Sequence, residues 1–144
     1  MAALSGIPAP FRHRVRVRYA ETDRMGVVHH GSYVLYFEEA RTEFLRSLGF
    51  SYRQLEDEGT CLAITELSCR YLGFATFDDF LPVEVTLTRL PLVRMALAYR
   101  VTREDGTPTA EGSTTLACVD KTGKVTAIPE KVARALRVAL AERN

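Results

Sequence analysis

The chain has 144 residues, 47% of them hydrophobic and 26% charged. That is the usage of one globular domain with a real core, and it excludes disordered and fibrous classes. A net charge of +1 excludes recruitment of nucleic acid or an anionic membrane by the overall field, so an anionic ligand must be held by a local cluster.

Met1 to Pro10 is mildly apolar, has no basic n-region and contains Pro8 and Pro10. It reads as a loose leader rather than a signal peptide. From Arg12 to Tyr19 the chain alternates strictly, with His13, Val15, Val17 and Tyr19 on one face and Arg12, Arg14, Arg16 and Arg18 on the other. Period two predicts a strand. A polar loop follows, Ala20 to Gly26. Tyr33, Phe37, Ala40, Phe44 and Leu48 then recur at spacings of three and four, which predicts a helix, and Leu35 and Tyr36 widen its apolar surface beyond one stripe. Its N-cap is Ser32, His30 or Gly31, and Gly49-Phe50 supplies a C′ glycine with a hydrophobic C″ residue. Ser51-Tyr52-Arg53-Gln54 is a capping-box pattern for a short second helix ended by Gly59.

Period two returns at Cys61, with Ala63, Thr65, Leu67, Cys69 and Tyr71 expected on one side. Two further alternating runs, Leu81–Leu87 and Val93–Val101, and a run from Pro108 to Val119 complete the strands. Asp105-Gly106 is a strong hairpin signal. Pro129 fits N1 of a final helix with Val132, Ala135, Leu136, Ala139 and Leu140 inward. No repeat or linker divides the chain, so one domain is expected over residues 1–144. Short connections between successive strands imply antiparallel pairing and an α+β fold whose sheet curls around the long helix.

Cys61, Cys69 and Cys118 are odd in number and lack a Cys-x-x-Cys, which points to reduced thiols in a cytoplasmic protein. No apolar run approaches the roughly 20 residues of a membrane span. The adjacent His29 and His30 have no third His nearby and no His or Cys at ligand spacing, which argues against a zinc site.

The loop before the long helix carries the chemistry. A helix N-terminus offers unpaired N–H groups and partial positive charge, which suit a developing oxyanion. Asp23 lies close enough upstream to serve there as nucleophile or general base, and Gly26 and Gly31 allow close approach of backbone and substrate. An isolated Asp before a helix is ordinarily a cap. What sets this one apart is its surroundings: Tyr19, Glu21-Thr22-Asp23, Gly26-Val27-Val28, His30, Ser32-Tyr33, then Glu38 and Arg41.

That pattern resembles the 4-hydroxybenzoyl-CoA thioesterase family, in particular its YbgC-type acyl-CoA thioesterase branch, over about Arg14 to Pro129. The resemblance implies a hotdog fold: five antiparallel strands wrapped around a long central helix, plus a C-terminal helix. It implies acyl-CoA thioester hydrolysis with no cofactor, in a site formed by a homodimer that often pairs into a homotetramer. It assigns Asp23 as the catalytic carboxylate, with Tyr19 and His30 as supporting groups and the His30 backbone N–H as carbonyl donor. Val28 and Tyr33, with Gly26 and Gly31, would touch substrate. His29 departs from the family, where Tyr is frequent at that position. Glu38 and Glu39 on the helix are a rival base, set against solvated or paired helix glutamates. Tyr19 is equally a core residue by its place in the alternation, and the four arginines are a phosphate site or a charge-protected edge strand. A hotdog hydratase or dehydratase, or a non-catalytic acyl-CoA- or protein-binding module, are the competing functions.

Overall fold

The structure is a computed structural model that describes residues 10–89 and 93–142, and side chains in the last helix as far as Val138. Nearly all of the expected leader and the inward placement of Ala139 and Leu140 lie outside the described residues. The elements in chain order are β1 (Phe11–Arg16), a short 3-10 turn (Tyr19–Glu21), α1 (Ser32–Ser47), α2 (Tyr52–Asp57), β2 (Cys61–Tyr71), β3 (Phe80–Arg89), β4 (Arg94–Thr102), β5 (Pro108–Val119) and α3 (Glu130–Glu142). The strands form one antiparallel sheet in the order β1-β3-β4-β5-β2. This is the expected hotdog arrangement.

α1 presents Tyr33, Tyr36, Phe37, Ala40, Phe44 and Leu45 to the concave face of the sheet, all buried. They meet the inward residues of β3 and β4, among them Leu81, Val83, Met95, Leu97 and Val101, each fully buried. The Phe37 ring stacks on Tyr99 with centroids 4.4 Å apart. α1 ends as its sequence predicts: Gly49 has φ 97°, the Phe50 N–H donates to the Leu45 carbonyl, and the Gly49 N–H donates to that of Arg46. Ser51 Oγ accepts the Gln54 N–H and starts α2. The capping residue of α1 is Gly31.

Four local expectations are corrected. β1 stops at Arg16, because the chain turns at Arg18 into the 3-10 turn and leaves the alternation. Tyr19 is therefore 77% exposed, edge-on to Phe77, and the core role for it is excluded. Leu35 is 52% exposed, so the wider apolar surface of α1 is carried by Tyr36 and Leu45 instead. β2 shifts register between Ile64 and Glu66, and one extra residue moves every later side chain to the other face. Leu67 and Cys69 thus share the inner side with Leu62 and Ile64, opposite the buried Thr114, Cys118 and Leu116 and the inward Gly112, while Ala63 does not. α3 begins at Glu130, and its buried residues are Val132, Ala133 and Leu136, with Ala135 half-buried.

The two sheet edges differ in chemistry. On β1 and just past it all four arginines are paired: Arg12 with Glu84 (2.8 Å), Arg14 with Glu104 (3.2 Å), Arg16 with Asp78 (3.4 Å) and Arg18 with Glu21 (2.8 Å). Arg14 and Arg16 also cover the Phe80 ring. Exposed pairs of this kind add little stability, but each sets a carboxylate beside the cation. They protect an edge strand.

Gly112 sits where β5 passes close to both β2 and α1. A Cβ there would meet the Ser68 carbonyl and lie 2.7 Å from the Phe37 ring. Gly112→Ala is expected to cost about 1–3 kcal/mol of stability through overpacking, read as a lower urea midpoint with unchanged m-value.

Candidate active site

The segment between β1 and α1 is built around Glu21. This residue is 7% exposed. Its carboxylate accepts the Arg18 backbone N–H (2.8 Å), the Arg18 Nε–H (2.8 Å) and the Tyr36 O–H (2.9 Å). Its backbone carbonyl accepts the His29 N–H (2.8 Å) and the Ser32 Oγ–H (3.0 Å). Burial alone would raise the carboxyl pKa, but the bonds from Arg18 and Tyr36 outweigh it and hold the group below its ordinary value. Burial, together with the bond to Glu21, keeps the Tyr36 phenol protonated far above the usual range.

Asp23 begins a tight turn closed by its own N–H to the Val27 carbonyl (2.8 Å), with Gly26 at φ 81°. Only glycine takes that conformation without strain. Asp23 Oδ1 accepts the Met25 N–H (2.8 Å) and, at 3.4 Å, that of Val27. Oδ2 has no partner among the described residues. One oxygen caps the turn and the other remains available for chemistry. The turn is moored to a second loop by the Val28 N–H donating to the Ala75 carbonyl (2.9 Å).

Just before α1, the Gly31 N–H donates to His29 Nδ1 (3.0 Å), which leaves the proton of the neutral ring on Nε2. The His30 ring lies over His29 with centroids 4.0 Å apart. The His30 carbonyl accepts the Tyr71 O–H (2.9 Å). The His30 N–H has no partner among the described residues and stands at the positive end of α1.

These groups surround a pocket of about 150 Å³. The loop and helix contribute Asp23, Met25, Val27, Val28, His30 and Tyr33, and the end of β2 contributes Tyr71, Gly73 and Phe74. The structure thus brings together Asp23, Val28, His30 and Tyr33 of the residues singled out from sequence. Gly26 shapes the turn and Gly31 caps the helix, and neither lines the pocket; nor does Tyr19. Glu38 and Glu39 lie elsewhere on α1. Glu39 is bound to His13 Nε2 (2.6 Å), and Glu38 lines a separate pocket of about 240 Å³ with Arg41, Tyr52 and Leu62. Among the described residues, no three His, Cys, Asp or Glu side chains gather as a metal site would need. Burial pushes the Cys69 and Cys118 thiols up, which suits packing rather than nucleophilic chemistry.

Sequence reading missed Tyr71, Gly73 and Phe74, and took Glu21 only as part of a motif. Tyr71 is 41 residues from His30, and nothing local signals that contact.

Five antiparallel strands curled around one long helix form the hotdog fold. The profile of the thioesterase-like superfamily matches residues 17–136, and the chain belongs to that superfamily. The acyl-CoA thioester hydrolase YbgC of Escherichia coli O6:H1 is 34% identical over 110 residues, 76% of this chain and 82% of its own. The crystal structure of a hypothetical protein from Thermus thermophilus superposes with a TM-score of 0.83 at 40% identity, over 89% of this chain and 98% of its own. That of a DHNA-CoA thioesterase from Staphylococcus aureus superposes with a TM-score of 0.83 at 29% identity, over 92% of this chain and 89% of its own.

Glu21 carries a pH signature. A carboxyl held below its unfolded value of about 4.3 contributes stability that is complete above that pH and is lost as pH falls through the lower folded value. Between about pH 7 and pH 3 the wild type is therefore expected to lose more stability than Glu21→Gln, compared as the shift in urea midpoint of each.

Proposed function

We propose that the chain hydrolyses an acyl-CoA thioester to the free acid and CoA, with Asp23 as the catalytic carboxylate. One observation carries this reading: Asp23 and His30 line the same small pocket, and among the described residues neither Asp23 Oδ2 nor the His30 backbone N–H has a partner. The thioester carbonyl oxygen accepts the His30 N–H, and the helix dipole stabilises the negative charge that develops on it. Asp23 Oδ2 then either attacks the carbonyl carbon and expels CoA thiolate, leaving a mixed anhydride for water to open, or takes a proton from a water that attacks. Tyr33 and Tyr71, both held protonated above the usual range chiefly by burial, wall the acyl group together with Val28 and Phe74. Tyr19 does not line the pocket and packs edge-on to Phe77.

The reading includes a homodimer, with a homotetramer as the larger assembly. Two features support the dimer. β2 has 11 residues and pairs only with β5, so its other edge is open. Its inner side exposes Ile64 (46%) and Leu67 (44%), and Leu35 of α1 is likewise exposed. A long apolar edge of this kind invites pairing with a second copy.

The test is thiol release from short-chain, long-chain and aromatic acyl-CoAs. Wild type is expected to release CoA from at least one class. Asp23→Asn is expected to lower kcat by about 10²–10⁴-fold, the usual contribution of a positioned acid–base group. Glu38→Gln and Glu39→Gln are expected to retain activity. No release by wild type, or full activity in Asp23→Asn, overturns the proposal. In a single turnover in H2¹⁸O, label enters the Asp23 carboxylate only on the anhydride route. Light scattering is expected to give at least twice the 16.1 kDa of one chain.

A further inference from the structure

We propose that Glu21, which does not line the pocket, is the positioning residue of the hydrolysis: it holds Asp23 and the His30 N–H in one frame. The inference rests on the roles given to Asp23 and His30 above. Those two groups sit on different segments and must meet one carbonyl group, so their relative placement needs a common anchor. Glu21 supplies it from both its backbone and its side chain.

Its carbonyl grips His29 N–H and Ser32 Oγ–H, the residues that flank His30 and Gly31. Its carboxylate grips Tyr36 one helical turn further along the same face of α1. Arg18 closes the other side through its backbone N–H and its guanidinium. Glu21 is therefore fixed to the start of α1 at three points, and Asp23 follows only two residues later. Thr22 between them is itself tied down, its N–H and Oγ–H both donating to the Tyr19 carbonyl. With consecutive Cα atoms about 3.8 Å apart, this short tether leaves Asp23 little freedom to move independently of the helix mouth. The buried carboxylate is fully met by donors, so its arrangement is rigid.

Misplacement of a reacting group by about 1 Å costs on the order of 10²-fold in rate. Glu21→Ala is therefore expected to lower kcat per folded molecule about 10²-fold while KM changes less than about threefold. Glu21→Gln keeps an acceptor for Tyr36 and for the Arg18 backbone but faces the guanidinium with an amide donor, and it is expected to lose less. Tyr36→Phe removes a single grip and is expected to fall between wild type and Glu21→Ala. Should Glu21→Ala fail to fold, Glu21→Gln and Tyr36→Phe carry the test. Leu55→Ala is the stability control: this buried residue of α2 does not line the pocket, and its carbonyl accepts the Thr60 N–H just before the start of β2, the opposite end of that strand from Tyr71. It is expected to lower the Tm with kcat per folded molecule unchanged. A second readout is the ¹H–¹⁵N spectrum of Glu21→Gln, where the His29, His30 and Ser32 amides are expected to shift.

Unchanged kcat per folded molecule in the Glu21 and Tyr36 variants, with Asp23→Asn inactive, overturns the inference and leaves the roles of Asp23 and His30 standing. Full activity in Asp23→Asn removes those roles and the inference with them.

Discussion

A buried carboxylate has to find donors in place of water, and Glu21 finds them on Arg18, just past the end of β1, and on Tyr36 of α1. Charge-assisted hydrogen bonds to a buried carboxylate are stronger than neutral ones. Their larger effect is geometric. They hold the 3-10 turn that the chain enters at Arg18, two residues after β1 ends, and dock the start of α1 against the same residue. The Asp23 turn and the open N–H before the helix are downstream of that junction. So is the outward swing of Tyr19, which the strand's alternation would have buried.

The second constraint is the close fit of sheet to helix. Gly112 allows β5 to pass against Phe37, and Phe37 stacks on Tyr99, whose O–H bonds Thr114 (2.6 Å) and accepts from Arg41 (3.1 Å). The polar atoms within this core are thereby paired, as burial requires. The helix packs chiefly on β1 and β3, which leaves the inner side of β2 less covered. Both the Asp23 pocket and the pocket beside Arg41 draw walls from α1 and from β2 or its end.

The elements themselves were legible because each rests on near neighbours in sequence. The Gly49-Phe50 stop, the Ser51 cap, the Asp105-Gly106 turn and the span of β5 all follow from local hydrogen bonds or period, and all stand as expected. Where the reading slipped, a distant contact had overridden the local pattern. The register shift at Ile64/Glu66 cannot be seen in an alternation that looks unbroken. Leu35 carries no mark that distinguishes it from a core leucine.

The candidate site divides the same way. Sequence by itself determined that a carboxylate, a glycine turn and a histidine precede a long apolar helix, and hence that a helix N-terminus would be open to an oxyanion. It could not choose between Asp23 as a cap and Asp23 as a reacting group. In the folded structure the turn's N–H groups reach Oδ1, and Oδ2 has no partner among the described residues. It could not supply the far wall of the pocket either. Tyr71, Gly73 and Phe74 reach His30 only when β2, paired to β5, is carried across the sheet to the helix mouth. Local chemistry is written in neighbouring residues, whereas a pocket is a relation between segments that only packing brings together.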